Sequence, residues 1–228
     1  MKYLYTVGIY AYQAGIAIAS LFNTKARKWM SGRKGLFDEL PEDIGEGAWV
    51  WVHAASLGEF EQGRPLIETI KEMHPDVRIL LTFFSPSGYE VRKSFPLADH
   101  VCYMPSDTPA NARKFIRMIN LRIAIFIKYE LWYHHLKELD KKGVPVLLVS
   151  AQFRENHFYF KWYGRFFLPF LRRLKAIFTA DERSAEVLNA LHFTNAIVSG
   201  DTRVDRVSQI AADHSDFSDL AKRFPSPI

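Results

Sequence analysis

Ala48-Trp-Val-Trp-Val-His-Ala-Ala-Ser-Leu-Gly-Glu59 runs from an apolar segment through small residues to a lone carboxylate. From Ala48 to Ala54 it has the apolar, β-branched and aromatic content of a buried strand. Ser56 and Gly58 then supply a tight turn, and Glu59 stands where a helix begins. A carboxylate is thereby presented at the C-terminal end of a strand. In an open α/β sheet that edge is where ligands bind, so the position suits a general base acting on a bound hydroxyl. The alternative for Glu59 is a helix cap, because acidic groups favour helix N-termini.

Outward from this stretch, strand and helix signals alternate. Strands are predicted near Trp49 to Ala54, Arg78 to Phe83, His100 to Tyr103, Ile123 to Ile127, Val146 to Ser150, Ala176 to Thr179 and Ala196 to Ser199. Helices fall near Gln62 to Met73, Ser87 to Lys93, Ala110 to Ile119, Leu131 to Lys141, Phe158 to Leu174, Arg183 to Leu191 and Val204 to Arg223. Such alternation predicts an α/β fold, a Rossmann-like parallel sheet with helices on both faces. The loops that follow the strands then share one sheet edge. They carry Ser56 to Glu59, Ser85-Pro-Ser-Gly88, Pro105-Ser-Asp107, Lys128-Tyr-Glu130, Ala151 to Arg154, Asp181-Glu182 and Gly200-Asp-Thr-Arg203. A polar, partly acidic rim with backbone donors at helix starts is what a sugar and phosphate ligand requires.

The 228 residues are too few for two full α/β domains and too many for one minimal one. We therefore expect a terminal segment at 1–31, a single domain at 32–223, and the start of a linker in Phe224-Pro-Ser-Pro-Ile228. A single cysteine, Cys102, excludes an internal disulfide and a cysteine cluster for metal. Its strand position marks it as a packed small hydrophobe. The net charge of +5 admits nucleic acid, an anionic membrane surface or an anionic substrate, and its distribution must decide among them.

Two stretches point to membrane. Tyr3 to Thr24 holds no charged residue, and Lys25, Arg27, Lys28, Arg33 and Lys34 follow it directly. Its length matches the ~20 residues of a bilayer span, and the basic flank would hold the domain on the cytoplasmic side. Thr6, Gln13, Ser20, two glycines and four tyrosines within it argue against a full span, so a membrane anchor and a helix lying in the membrane plane both stay open. The second stretch, Phe153 to Lys175, interleaves eight aromatic residues from Phe158 to Phe170 with Arg154, Lys161, Arg165, Arg172 and Arg173. That mixture suits a membrane interface, or a core helix with one aromatic face on the sheet. Nucleic acid is the poorer reading, because stacking platforms lie on sheets and this segment has helical spacing and Pro169. No nucleic-acid partner is expected.

Five further stretches carry a resemblance: His53-Ala-Ala-Ser-Leu-Gly-Glu59, Thr82-Phe-Phe-Ser-Pro-Ser-Gly88, Tyr103-Met-Pro-Ser-Asp107, Glu130-Leu-Trp132 and Gly200-Asp-Thr-Arg-Val-Asp205. In this order they resemble the 3-deoxy-D-manno-octulosonic acid (Kdo) transferases of Gram-negative lipopolysaccharide synthesis, from Gly32-Arg-Lys-Gly35 to nearly the end of the chain. The chain departs from the family at Tyr133, where Pro is frequent, and at Ser150-Ala-Gln152, where an Asn-Ala-Arg segment is frequent. The role of the family's Arg is therefore not carried to Gln152. The resemblance implies the N-terminal, acceptor-binding half of a two-domain GT-B type glycosyltransferase, with a second half not in this chain. It further implies transfer of Kdo from CMP-Kdo to a lipid A precursor, without cofactor or metal and with inversion, at the cytoplasmic face of the inner membrane. CMP-Kdo would bind chiefly on the second half. Two other readings are an epimerase of similar two-domain build, and a non-catalytic membrane-bound module that holds an anionic glycolipid.

On this resemblance Glu59 is the catalytic base. Ser56, Gly58, Ser85, Ser87, Gly88, Glu130 and Arg203 are substrate-binding candidates. Glu130 would orient the acceptor sugar or hold a basic side chain, against a helix N-terminal charge. Arg203 with Asp205 would close the cleft, against an internal salt bridge. Trp132 reads as packing and His53 as a satisfied core histidine. His134 and His135 point about 100° apart on a helix and form no metal clamp, so no metal is expected.

Overall fold

All six residues of β1 (Trp49–Ala54) are buried, as a strand covered on both faces must be. Its alternation separates two cores: Trp49 and Trp51 face one side, Val50, Val52 and Ala54 the other. The computed structural model describes residues 1–128 and 131–200. The further strands are β2 (Arg78–Phe83), β3 (His100–Tyr103), β4 (Leu121–Ile127), β5 (Val146–Ala151), β6 (Ala176–Thr179) and β7 (Ala196–Val198). They form one sheet in the order β3-β2-β1-β4-β5-β6-β7. Every pairing is parallel. The direction of winding reverses between β1 and β4, so the crevice beyond their C-terminal ends is the topological switch point.

Helices cover both faces. Phe60 and Ile67 of α3 (Leu57–Met73) pack on Val52, Leu81 and Ile127, with α4 (Pro86–Arg92) beside them. On the other face Phe115 of α5 (Pro109–Met118) and Leu136 and Leu139 of α6 (Tyr133–Lys142) pack on Trp51 and Phe126. Leu171 of α7 (Leu168–Arg173) and Leu188 of α8 (Glu182–Ala190) extend that core. Local chemistry sets the helix starts. Thr108 accepts from Asn111 N–H at 3.2 Å ahead of Pro109, and Asp181 accepts from Ser184 N–H at 2.7 Å. Cys102 is buried, and desolvation followed by the charge of Glu39 pushes its thiol up to about 12. It acts as the packed hydrophobe expected.

Three sequence expectations change. The helix after β1 begins at Leu57, not Gln62, so Glu59 lies within its first turn and Gly58 inside the helix. The uncharged N-terminal stretch becomes α1 (Lys2–Ala19), a turn, and α2 (Thr24–Ser31), whose N-cap Asn23 accepts from Ala26 N–H at 3.1 Å. No helix among the described residues is long and apolar enough to cross a membrane. Finally, Phe158 to Leu174 is not one helix. Short 3-10 turns at Phe158–Phe160 and Arg165–Phe167 precede α7.

Gly164 explains the break. A Cβ there would run into the Phe158 carbonyl and Tyr159 Cα, so the chain folds back on itself at a distance only glycine allows. Phe153, Tyr159, Phe167 and Leu171 reach the core in this region, while Phe158, Trp162 and Tyr163 are exposed. Gly164→Ala is expected to destabilise the protein by roughly 1–3 kcal/mol, read as a lowered melting temperature. The obstacle is backbone and cannot move aside.

The predicted helix Val204 to Arg223, the sites Glu130, Arg203 and Asp205, and the linker 224–228 lie outside the described residues.

Candidate functional site

Glu59 occupies the switch point. Ser56 is the N-cap of α3, and Glu59 turns back so that its Oε2 accepts from Ala55 N–H at 2.6 Å. This resembles the back-reaching half of a capping box, so the cap alternative is realised in the structure. The cap does not exhaust the group. Burial raises its pKa above the ordinary carboxylate value, against the opposing pull of Ala55 N–H, the Lys128 charge and Ser56 N–H. A half-buried carboxylate with a raised pKa beside a crevice is suited to accept a proton.

Lys128 follows β4, the strand next to β1, and supplies that positive field. Its φ of 65° is in the left-handed region, which a side chain other than glycine's rarely adopts. Its N–H is nevertheless held to the Val149 carbonyl at 2.7 Å. Ser150, at the end of β5, has φ 54°. Two strained residues thus sit on adjacent strand ends at the crevice. In the sequence Lys128 stands in a rim loop with no role of its own. Its signal was a lone cation closing the apolar run Ile123-Ala-Ile-Phe-Ile127.

Behind Glu59 a buried polar chain joins β1, β2 and the start of α6. The indole N–H of Trp51 donates to Thr82 Oγ1 at 2.8 Å, which lies 2.9 Å from His53 Nδ1, and Trp132 Nε1 donates to His53 Nε2 at 3.2 Å. Because Nε2 accepts, the proton of the neutral ring is on Nδ1 and donates to Thr82. Desolvation, with a smaller push from His135, holds the His53 pKa down near 3, so it is neutral at physiological pH. His53 is the satisfied core histidine expected. Trp132 does more than pack: it fixes the residue ahead of α6 to β1 and lies tilted against Phe84, with ring centroids 4.7 Å apart.

Asp107 is fully enclosed and fully bonded. Its Oδ2 accepts from Tyr5 Oη at 2.6 Å and His134 N–H at 3.0 Å, and its Oδ1 accepts from His135 N–H at 3.0 Å and sits 2.6 Å from His135 Nδ1. Burial alone would raise its pKa, but the His135, Tyr5 and His134 contacts overcome this and hold it below the usual carboxylate range. A residue after β3 therefore caps α6 and ties α1 to the domain. Thr6 Oγ1 adds a contact of 3.0 Å to His134 Nε2.

The remaining candidates divide. Ser85 N–H donates to the Ala55 carbonyl at 2.8 Å, which brings the loop after β2 against Glu59's own loop. Ser56 Oγ makes no capping bond. Ser85 Oγ caps α4 by accepting from Ser87 N–H at 3.3 Å and lies 3.0 Å from Ser87 Oγ. Gly88 is buried, and a Cβ there would strike the Phe83 ring, so packing already demands glycine. Gly58 is exposed with open space around it. Gln152, following β5, is half-buried beside Phe153, whose N–H donates to Ser184 Oγ at 2.9 Å.

The sequence profile described as 3-Deoxy-D-manno-octulosonic-acid transferase (kdotransferase) matches residues 26–206. The chain belongs to this family. Among curated Kdo transferases, that of Rickettsia felis is 31% identical over 158 residues, 68% of this chain and 33% of that protein. The Haemophilus influenzae transferase is 27% identical over 149 residues, 64% of this chain and 34% of that protein. The chain thus spans about a third of the length of these Kdo transferases. Among solved structures, UDP-GlcNAc 2-epimerase from Neisseria meningitidis bound to UDP-GlcNAc superposes with a TM-score of 0.57 at 14% identity, over 78% of this chain and 54% of that one. The epimerase from Methanocaldococcus jannaschii gives 0.55 at 14% identity, over 79% and 53%. At such identity the likeness is one of fold, a Rossmann-like half of the GT-B type.

Proposed function

We propose that the protein containing this chain transfers Kdo from CMP-Kdo to a lipid A precursor at the cytoplasmic face of the inner membrane, with Glu59 as general base. Membership of the Kdo transferase family gives the reaction class. The observation that carries the residue assignment is a half-buried Glu59 of raised pKa at the switch point. In the proposed step Glu59 takes the proton of the acceptor hydroxyl as that oxygen bonds to the anomeric carbon of Kdo. The bond from that carbon to the CMP phosphate breaks, and CMP leaves with the electron pair. Direct displacement inverts the anomeric centre. Lys128 favours the ionised form of Glu59 before the transfer, and the Ala55 N–H holds Oε2 in place.

The membrane part of the reading rests on α1. Tyr5, Thr6, Gln13 and Ile16 turn toward the domain, and Tyr3, Leu4, Val7, Tyr10 and Ile18 are exposed, followed by exposed Leu21 and Phe22 and by basic α2. An apolar face beside a basic helix suits the headgroup boundary. Trp162 and Tyr163, with Lys161 and Arg165, form a second exposed aromatic and basic patch. Arg172 and Arg173 are less available: Arg172 donates to the Leu191 carbonyl and Arg173 pairs with Asp140 at 3.0 Å.

Incubating the full-length protein with CMP-Kdo and a lipid A precursor is expected to give a product heavier by Kdo, detected by mass spectrometry. The 228-residue chain alone is expected to give none, since it spans a third of its relatives. No product from the full-length protein sinks the proposal and favours a glycolipid-binding module. Leu4→Glu combined with Val7→Glu is expected to abolish co-sedimentation with anionic vesicles; unchanged binding would remove α1 from the membrane contact.

A further inference from the structure

Two features of the fold bring Lys128 and Glu59 together. Phe126 of β4 is paired with His53 of β1, and continuing that register by two residues sets Lys128 level with Ala55. Neighbouring strands lie about 4.8 Å apart, and the Ala55 N–H is the group that holds Glu59 Oε2 at 2.6 Å. Gly63, one turn of α3 beyond Glu59, brings the helix onto the same strand end. A Cβ there would meet Ile127 Cδ1 at 2.8 Å and Cγ1 at 2.9 Å, so α3 sits closer to β4 than any side chain allows without displacing Ile127. Lys128 itself is half-buried and keeps a backbone of φ 65° that glycine would adopt without strain. No ion pair among the described residues includes it.

The proposed transfer brings a second negative charge to this point. Kdo is an ulosonic acid, and its carboxylate is bonded to the anomeric carbon that the acceptor oxygen attacks. Glu59 has to lie about 3 Å from that oxygen to take its proton, and the oxygen about 3–3.5 Å from the carbon. The Kdo carboxylate then falls within roughly 4–7 Å of the Glu59 carboxylate. Two carboxylates at that spacing repel each other in a crevice partly closed to water, which opposes both donor entry and ionisation of the base. A neutral sugar brings no such charge. A lysine beside Glu59 removes the conflict, because its compact ammonium has three donors to share between two carboxylates.

We propose that Lys128 binds the carboxylate of Kdo and so selects an ulosonic acid over a neutral sugar as donor. The inference rests on the reading of the reaction as Kdo transfer with Glu59 as base. It gives this half of the protein a contact to a donor whose CMP part would bind chiefly on the other half. Other cations at this sheet edge are less well placed. Arg33 packs on the rings of Trp29, Phe84 and Tyr103 and donates to the carbonyls of Met104, Trp29 and Phe84, and Arg154 is exposed beyond β5.

The test uses the full-length protein with CMP-Kdo and with its C1 carboxamide, which keeps the shape of the donor and lacks the charge. Binding of each is measured by calorimetry without acceptor, and transfer to a lipid A precursor is measured in parallel. The unaltered protein is expected to bind the acid about tenfold more tightly than the amide. Lys128→Met is expected to lose that preference by weakening the acid alone, and to raise the donor KM while the acceptor KM stays. Lys128→Arg should retain most of the preference. Lys128→Gly relieves the φ of 65°, so it should melt at about the temperature of the unaltered protein and still lose the preference, which separates donor recognition from structural support. Equal affinity for acid and amide in the unaltered protein, or an undiminished preference in Lys128→Met, overturns the proposal even where transfer proceeds. A preference that depends on Lys128 in a protein that transfers nothing upholds the contact and sinks the proposed reaction. No binding of CMP-Kdo at all sinks both.

Discussion

Glu59→Gln is expected to lower Kdo transfer by the full-length protein by about 10²- to 10⁴-fold, the range for loss of a positioned base, with little change in acceptor affinity. Gln keeps the oxygen that accepts from Ala55 N–H but cannot take a proton. The stability readout separates this role from capping. Because burial raises the folded-state pKa of Glu59, its ionised form is disfavoured by folding, and that cost enters as pH rises through the ordinary carboxylate value toward the folded one. Removing the charge should therefore leave the melting temperature at neutral pH unchanged or higher, with the difference vanishing in acid. The transfer rate of the unaltered protein should fall as pH drops through a pKa above the ordinary carboxylate value. A variant that keeps its rate but melts lower would make Glu59 a cap and nothing more.

The second large effect is on stability. Asp107→Ala strips the acceptor from Tyr5 Oη, His134 N–H, His135 N–H and His135 Nδ1 at once. Removing one partner of a buried pair costs roughly 3–5 kcal/mol, which for a domain of this size lowers the melting temperature by roughly 6–20 °C. The pH dependence has the opposite sign to that of Glu59. With its folded pKa held low, Asp107 stabilises the protein above the unfolded carboxylate pKa, and that contribution is lost as pH falls through the folded value. Tyr5 loses its anchor in the same variant, so proteolysis between α1 and α2 should quicken. A protein that melts and digests as before would show that the four bonds contribute nothing net.

What the sequence determined by itself follows from period and local chemistry. Six consecutive buried positions with aromatics on one face and small residues on the other made β1 legible to the residue. Alternation with capped helices made the parallel sheet legible in turn, because capping and period-2 burial are set by neighbours in the chain. The position of Glu59 at a strand end followed from the same signals. Phe153 to Lys175 shows where they fail: helical spacing of aromatics was present, yet the steric limit at Gly164 depends on where Phe158 comes to lie, which local pattern does not encode. Lys128 and Asp107 differ from other charged loop residues only through what they meet. Lys128 gains its role from β4 lying next to β1, and Asp107 from Tyr5, 102 positions away, and His135, 28 away. Arg33 reads in sequence as one of several basic residues after α1. Only the tertiary structure gives it three carbonyls and three rings, because desolvation and close contact are properties of enclosed space rather than of order along the chain.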